Sequence, residues 1–268
     1  MASFLKTIIL FTLVFVSIND EVIKLSGKPD LFTTDKLGCI YTYNENLLSK
    51  FDADGKLIGQ YSNYDSGRLH SIDASDPMQI LLFYKDFNMI VFLDNKLIQL
   101  GKPVYIDGIN FNSVSSVCKS KQYAIWLYDE YEHKLIQYGF NPHAIIQNFN
   151  LDKMGKEIGR VETLQEIGNE IIIKDNFNVL WIFDQFGRNL NKIELTITSD
   201  FQIRINTLIF NNNKLVYLYN LHDDMMDSIK LEGFEYFDQA RIENELFYVL
   251  NNDSIVIAPL KKEVLLKN

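Results

Sequence analysis

Apolar, β-branched and aromatic runs recur along this chain at a nearly constant step. Runs that read as the second strand of a repeating unit begin near residues 39, 80, 123, 170, 215 and 246, giving steps of 41, 43, 47, 45 and 31 residues. The clearest copy is Ser71 to Leu97. It holds apolar Met78 to Tyr84, a polar break at Lys85 to Asn88, apolar Met89 to Leu93 and a turn at Asp94-Asn95-Lys96. Strand, turn, strand, turn is the pattern such punctuation specifies. A step of about forty residues is that of a four-stranded propeller blade. One unit alone exposes an apolar face and needs neighbours to bury it. Radial closure also removes the sticky outer edges of an open array. The spacing therefore predicts an all-β chain, a β-propeller of six blades of four antiparallel strands. The sixth unit is one strand short, and Glu21 to Ser26 is an unassigned strand, so the ring is expected to be closed by an N-terminal strand. The alternatives are a β-sandwich with the same strand spacing and a seventh blade, if Asn150 to Arg160 holds an extra strand.

Three local expectations follow from the same pattern. The fourth strand of the second unit falls at Leu97 to Leu100. In the fifth unit a strand runs from Ile205 to Phe210. Asp54-Gly55 reads as a tight hairpin turn, since both residues tolerate positive φ.

The N-terminus differs from the rest. Met1 to Lys6 carries a positive charge, and Thr7 to Val16 is an apolar to weakly polar run. That is the layout of a secretory leader, too short to cross a bilayer as a helix. Residues 1–20 are expected to be a signal peptide and 21–268 a single propeller domain. A strand or helix of the fold itself is the alternative for the same residues. No second apolar stretch reaches transmembrane length, so the mature chain is expected to be soluble. Cys39 and Cys118 are the two cysteines. They fall on elements two repeats apart, beyond the short reach of a disulfide, and are read as apolar thiols.

Charge and motifs narrow the function classes. The chain has 26 basic and 35 acidic residues, a formal net charge of −9, and no basic cluster. A nucleic-acid binder would show the opposite footprint. His70, His133, His143 and His222 have no ligand spacing that would hold zinc. Asp52-Ala53-Asp54-Gly55 resembles the start of a calcium loop but lacks its twelfth-position Glu, and reads as a hairpin turn. Asp223, Asp224 and Asp227 gather three carboxylates in one long loop. This reads as a solvated loop, with a cation site or an acidic contact surface as the alternative. There is no nucleophile elbow and no glycine-rich phosphate cradle. No catalytic residue, cofactor or metal ligand is assigned. Aromatic residues crowd the second and third units. Most are read as core, while Phe87 and Tyr131 lie at turns, where aromatics are good interface anchors.

Ile72-Asp73, Asp76-Pro77, Ile80-Leu81, Phe83 to Asn88, Val91 and Leu93-Asp94-Asn95 together form a pattern that resembles a family of exported short β-propellers of Bacteroidota. The resemblance is close over residues 72–97 and loose over most of the mature chain, and the later units depart from it. It implies a group that includes the plug subunit of the type IX secretion translocon, a periplasmic protein that occludes an outer-membrane barrel when no cargo is present. On that resemblance the chain is expected in the periplasm, monomeric by itself, with a translocon barrel as partner and no catalysis. The loops of the second unit supply the candidate contact: Asp76, Pro77, Lys85, Asp86, Phe87 and Asn88. A polar rim around an aromatic anchor is the anatomy of a reversible interface. The alternative is a well-formed turn, with Asp86 and Asn88 bonded to backbone and Phe87 folded inward. Two other functions compete with the plug: a glycan- or peptide-binding propeller, and a propeller hydrolase or lactonase with carboxylates and a histidine at its channel mouth.

Overall fold

The structure is a computed structural model that describes residues 13–17 and 23–260, apart from 65–66, 110, 112, 122, 152–157, 195–199, 213, 222 and 224. Two strands open it, β1 (Leu13–Ser17) and β2 (Ile23–Ser26), and both join sheets formed by the end of the chain. The first sheet is β3 (Leu31–Thr34), β4 (Ile40–Asn44), β5 (Leu47–Phe51) and β6 (Leu57–Ser62). The second is β7 (Ser71–Asp73), β8 (Ile80–Tyr84), β9 (Met89–Leu93) and β10 (Val104–Tyr105). The third is β11 (Val114–Ser120), β12 (Ala124–Asp129), β13 (Lys134–Phe140) and β14 (His143–Asn150). The fourth is β15 (Val161–Ile167), β16 (Glu170–Asp175), β17 (Val179–Asp184) and β18 (Asn189–Glu194). These four sheets make one compact unit, Pro29–Thr196.

The other unit joins Met1–Lys28 to Ile197–Asn268. Its first sheet has β19 (Gln202–Arg204), β20 (Thr207–Asn211), β21 (Leu215–Asn220) and β22 (Met226–Glu232). Its second has β23 (Gln239–Glu243), β24 (Leu246–Asn251) and β25 (Ser254–Pro259). β2 pairs antiparallel with β25, Ile23 opposite Ile257 and Ser26 opposite Ser254, and supplies the fourth strand. Strand order within each sheet follows chain order, with β2 as the one crossover among these antiparallel strands. Six four-stranded antiparallel sheets of this kind are the blades of a β-propeller, as the repeat spacing predicts. β1 adds a fifth, parallel strand against β22, Leu13 opposite Ser228. The rest of the expected leader lies outside the described residues.

The middle strands read as unbroken apolar runs because both of their faces are covered. In β8 every residue is buried. Alternate side chains leave opposite faces of a strand, so Ile80, Leu82 and Tyr84 pack with Tyr41, Tyr43 and Leu48 of the first sheet. Leu81 and Phe83 pack the other way, with Ile125, Leu127 and Ile136 of the third. β12 repeats the arrangement, sending Trp126 and Tyr128 towards Ile171, Ile173 and Trp181 of the fourth sheet. In the other unit Ile209, Val216 and Ile229 meet Ala240, Phe247 and Val249. Each such side chain contributes about 1.5–3 kcal/mol of burial. Fourth strands have only one covered face, which is why β6 and β14 are largely exposed.

Three local expectations change. The fourth strand of the second sheet is Val104–Tyr105, not Leu97 to Leu100, which keeps a single bridge, Leu93 to Gln99. Leu97 is held at φ 64, and Gly101 at φ 72 turns the chain away before a ladder can extend. The run Ile205 to Phe210 is broken at Ile205, which adopts φ 55 and folds it into the β19–β20 hairpin. Asp54-Gly55 is part of a longer turn. Only Gly55 has positive φ, at 76, and Asp52 Oδ1 accepts from the N–H groups of Asp54 and Lys56. The segment that might hold a seventh-blade strand falls mostly on residues outside those described.

Candidate functional site

One local device recurs at the turns. An Asp Oδ1 accepts from the backbone N–H two and four residues on, while the residue three on takes a left-handed φ. Asp35, Asp52, Asp94, Asp175 and Asp184 all do this. The left-handed positions are Gly38, Gly55, Leu97, Asn178 and Gly187. Such side-chain bonds satisfy turn N–H groups that would otherwise need water, and they make the turns stiff. In the Pro29–Thr196 unit, such turns carry the exposed side chains of Leu37, Phe177 and Phe186.

Because the strands are antiparallel, the turns between first and second strands of each sheet lie at one edge and those between second and third at the other. Four successive first-to-second turns converge on a depression of about 650 Å³. Lys36 comes from the first sheet, Asp76 from the second, Lys119, Lys121 and Tyr123 from the third, and Glu166 from the fourth. Lys119 Nζ bonds to Asp76 Oδ2 at 2.7 Å and to the Gln79 carbonyl at 3.0 Å, tying the third sheet to the second. Its N–H donates to Asp73 Oδ2 at 2.7 Å. Lys121 Nζ donates to the Gly168 carbonyl and to Asn169 Oδ1, which ties the third sheet to the fourth. Trp126 Nε1 donates to Glu166 Oε2 at 2.9 Å.

Burial pushes the Asp76 carboxyl up, but the hydrogen bonds from Lys119 and the Met78 N–H and the charges of Lys119 and Lys36 outweigh it. Its pKa lies below the ordinary carboxylate value. A depressed pKa stabilises the fold above the unfolded value, near pH 4, and the contribution is lost as pH falls through the folded value. Asp76→Asn should therefore lower the melting temperature slightly at pH 6 and flatten its fall as pH drops below about 4, as read from thermal melts. The Asp76 carboxylate is half in solvent, so the effect is small.

Large apolar side chains stand on those same turns, and Tyr123 among them lines the depression. Leu37 is 60% exposed, Met78 60% and Tyr123 77%. Tyr123 also has φ 56. For a residue with a Cβ, that conformation costs roughly 1–2 kcal/mol, and such strain concentrates at functional positions.

The structure divides the six residues singled out in the sequence. Asp76 lines the depression, and the buried Pro77 follows it in the same turn before β8; Lys85, Asp86, Phe87 and Asn88 follow β8, at the opposite edge of its sheet. Lys85–Phe87 is a 3-10 turn closed by Asn88 in the left-handed region. Asn88 Nδ2 donates to Asp107 Oδ1 at 2.8 Å. Phe87 is 50% exposed, and its ring covers Gly67 so closely that a Cβ there would meet it at 2.7 Å. Tyr131, 77% exposed, shares that edge. Asp223 accepts from Met225 N–H and Asn220 Nδ2 within its own loop, while Asp224 and His222 lie outside the described residues. Both cysteines are thiols, and burial, with Asp73 and Glu166 nearby, pushes Cys118 well up.

Sequence reasoning passed over Lys36, Leu37, Lys119, Lys121 and Tyr123. Their signal was positional: each sits at the first turn of its repeat, where Asp76 and Pro77 sit in the second. Among the described residues no group of three or more His, Cys, Asp or Glu side chains could hold a metal ion.

No family model matches the chain, and neither does any curated protein. Among solved structures it is similar to the WD40 domain of Pan2 from Neurospora crassa, at 9% identity with a TM-score of 0.60, over 88% of this chain and 90% of that one. It is similar to BBS1N, solved in complex with ARL6DN, at 9% identity with a TM-score of 0.53, over 87% and 78%. It is also similar to BamB from Moraxella catarrhalis at 12% identity with a TM-score of 0.46, over 84% and 68%. At such identities the likeness is one of fold. The fold is that of a six-bladed β-propeller.

Proposed function

We propose that this protein is a binding module without a reaction of its own, and that a protein partner covers the first-turn edge of the Pro29–Thr196 unit. The observation that carries this reading is Tyr123, a large aromatic held in strained backbone and 77% exposed at the rim of a polar depression. Leu37 and Met78 are exposed on the equivalent turns of the first and second sheets. Rigid aromatic and aliphatic anchors around polar groups are what an interface core requires. Covering them returns about 25 cal/mol per Å² of apolar surface.

Affinity purification from the source cells tests it, with wild-type bait beside a Leu37→Asp/Tyr123→Asp bait of equal thermal stability. The expected result is a stoichiometric partner retained by the first and lost from the second. Equal recovery by both would overturn the assignment of the surface, and no partner with either would overturn the binding reading.

The finer reading is a periplasmic plug for an outer-membrane translocon, exported by residues 1–20. It rests on the resemblance over residues 72–97. An outer-membrane barrel as the retained partner would support it; recovery of the protein alone, with glycan binding in vitro, would sink it.

A further inference from the structure

One strand pair departs from the rest of the fold. Among the described strands, β1–β22 is the only parallel pair, and β1 is the only strand that lies beyond a fourth strand. Its register runs without a shift from Leu13 opposite Ser228 to Ser17 opposite Glu232. The fourth strands themselves explain why it lies there. An edge strand offers a row of free N–H and C=O groups, and sheets protect such edges with bulges or by keeping the strand very short. The third-to-fourth pairing shifts register in the first sheet at Lys50/Phe51, in the third at Gln137/Tyr138 and in the fourth at Ile182/Phe183. In the second sheet the fourth strand, β10, has two residues, and in the last sheet β2 has four. β22 has neither protection. It is seven residues long, contains no proline, and pairs with β21 without a shift. Lys230 and Glu232 are the charges along the stretch that β1 covers, and they do not keep β1 off. The edge best fitted to take a further strand is the one that carries one.

β1 is also separable from the sheet closure beside it. Only residues 18–22 lie between β1 and β2. β2 completes the last sheet through its own register with β25, so release of β1 leaves that closure in place. Residues 13–17 fall inside the expected leader and β2 falls after it. A cut that removed residues 1–20 would take β1 away and spare β2.

We infer that the free edge of β22 is a strand-docking site, filled within the chain by β1 and, once β1 is removed or displaced, taken by an extended, uncharged, β-branched and aromatic segment of a partner protein lying parallel to β22. The chemistry of the occupant is read from the one seated there, Leu13-Val14-Phe15-Val16-Ser17. It has no charge, no proline and no glycine, and its residue types favour extended backbone. Main-chain ladder bonds give this kind of strand addition its affinity. The short tether gives β1 an effective concentration on the order of millimolar, so β1 holds the edge against a free segment of the same sequence. This edge lies in the unit that joins Met1–Lys28 to Ile197–Asn268, and the inference does not depend on the first-turn surface proposed above.

The test uses the full chain and a fluorescent peptide that carries the Leu13–Ser17 sequence between soluble flanks. Phe15→Pro/Val16→Pro takes one N–H from each side of β1 and should lift it off the edge. In that variant hydrogen exchange is expected to show lost protection at residues 226–232, kept protection over β24 and β25, and recovery at 226–232 when the peptide is added. Peptide affinity, read by anisotropy, is expected to be about tenfold or more higher for the double variant than for wild type, whose edge is already filled. A peptide with the same two prolines should bind neither. Unchanged protection at 226–232 would show that β1 does not cover this edge, and equal affinity for the two proteins would place the peptide elsewhere; either result overturns the inference. An opened edge that binds no peptide would leave β1 a structural strand and overturn the docking site. A double variant that protects 226–232 by pairing with itself, seen as a dimer in light scattering, would overturn the partner in favour of a second copy. Loss of protection over β24 and β25 as well would make β1 part of the closure and overturn its separability. None of these outcomes bears on the first-turn surface.

Discussion

Asp175→Ala is expected to cost about 4 kcal/mol, a loss large enough to threaten folding of the fourth sheet. The carboxylate is fully buried and accepts four hydrogen bonds: from the N–H of Phe177 at 2.9 Å, of Val179 at 3.0 Å and of Gly159 at 3.0 Å, and from Trp181 Nε1 at 3.0 Å. Removing it leaves four donors without their acceptor, the buried Trp181 Nε1 among them, and a buried unsatisfied donor costs roughly 1–3 kcal/mol before relaxation. Asp175→Asn should recover little, because its amide would turn an N–H towards one pair of those donors. Asp184 makes the same turn in solvent, so Asp184→Ala should lose far less. Urea unfolding followed by tryptophan fluorescence checks this directly, since the two tryptophans, Trp126 and Trp181, share one core. A midpoint for Asp175→Ala no lower than that of Asp184→Ala would refute the account.

Lys50→Ala is expected to cost about 3–4 kcal/mol for a different reason. Lys50 is 3% exposed, its Nζ 3.0 Å from the Asn95 carbonyl and 3.8 Å from Asp35 Oδ2, and it lies 5.0 Å over the Tyr41 ring. It is a charged clip from the first sheet to a turn of the second. Asp35, side chain fully buried, takes the Tyr41 hydroxyl at 2.8 Å. Burial and that carboxylate push the Tyr41 phenol far up, so it stays a neutral donor. Truncating Lys50 leaves Asp35 as a buried charge without its counter-ion, which is the costly half of a buried pair. Asp35→Asn combined with Lys50→Met should lose less than the sum of the two single changes. Additive losses would show that the two charges do not interact.

The blade pattern was legible in the sequence because it is written twice over. Middle strands such as Ile80–Tyr84 and Ala124–Asp129 are apolar at every position or nearly so, and Asp, Asn and Gly mark each turn. Short-range chemistry of that kind survives divergence, so the strands were placed even where the step varied. The failures were also local. Ile205 and Leu97 occupy left-handed positions that glycine or asparagine usually signals, and nothing in their composition announces a turn. The Asx turns were legible only after the fact: Asp52, Asp94 and Asp184 stand four residues before the closing N–H, and Gly55 drew attention away from Asp52.

The site was a harder case. Asp76, Pro77 and Lys85 to Asn88 are neighbours in sequence, and five residues of β8 separate them. A five-residue strand is about 17 Å long, so its two ends present their turns to opposite edges of the sheet. Conversely Lys36, Asp76, Lys121 and Glu166 follow one another at separations of 40, 45 and 45 residues, and they meet because each repeat returns its first turn to the same edge. By itself the sequence determined the repeating strands, the two-faced apolar code of the middle strands, and the N-terminal strand that completes the last sheet, because these depend on side-chain periodicity and turn chemistry. Which turns share a surface, which lysines have carboxylate partners, and which aromatic is held strained in water were decided only by the tertiary structure, because they depend on stacking between sheets that lie far apart in the chain.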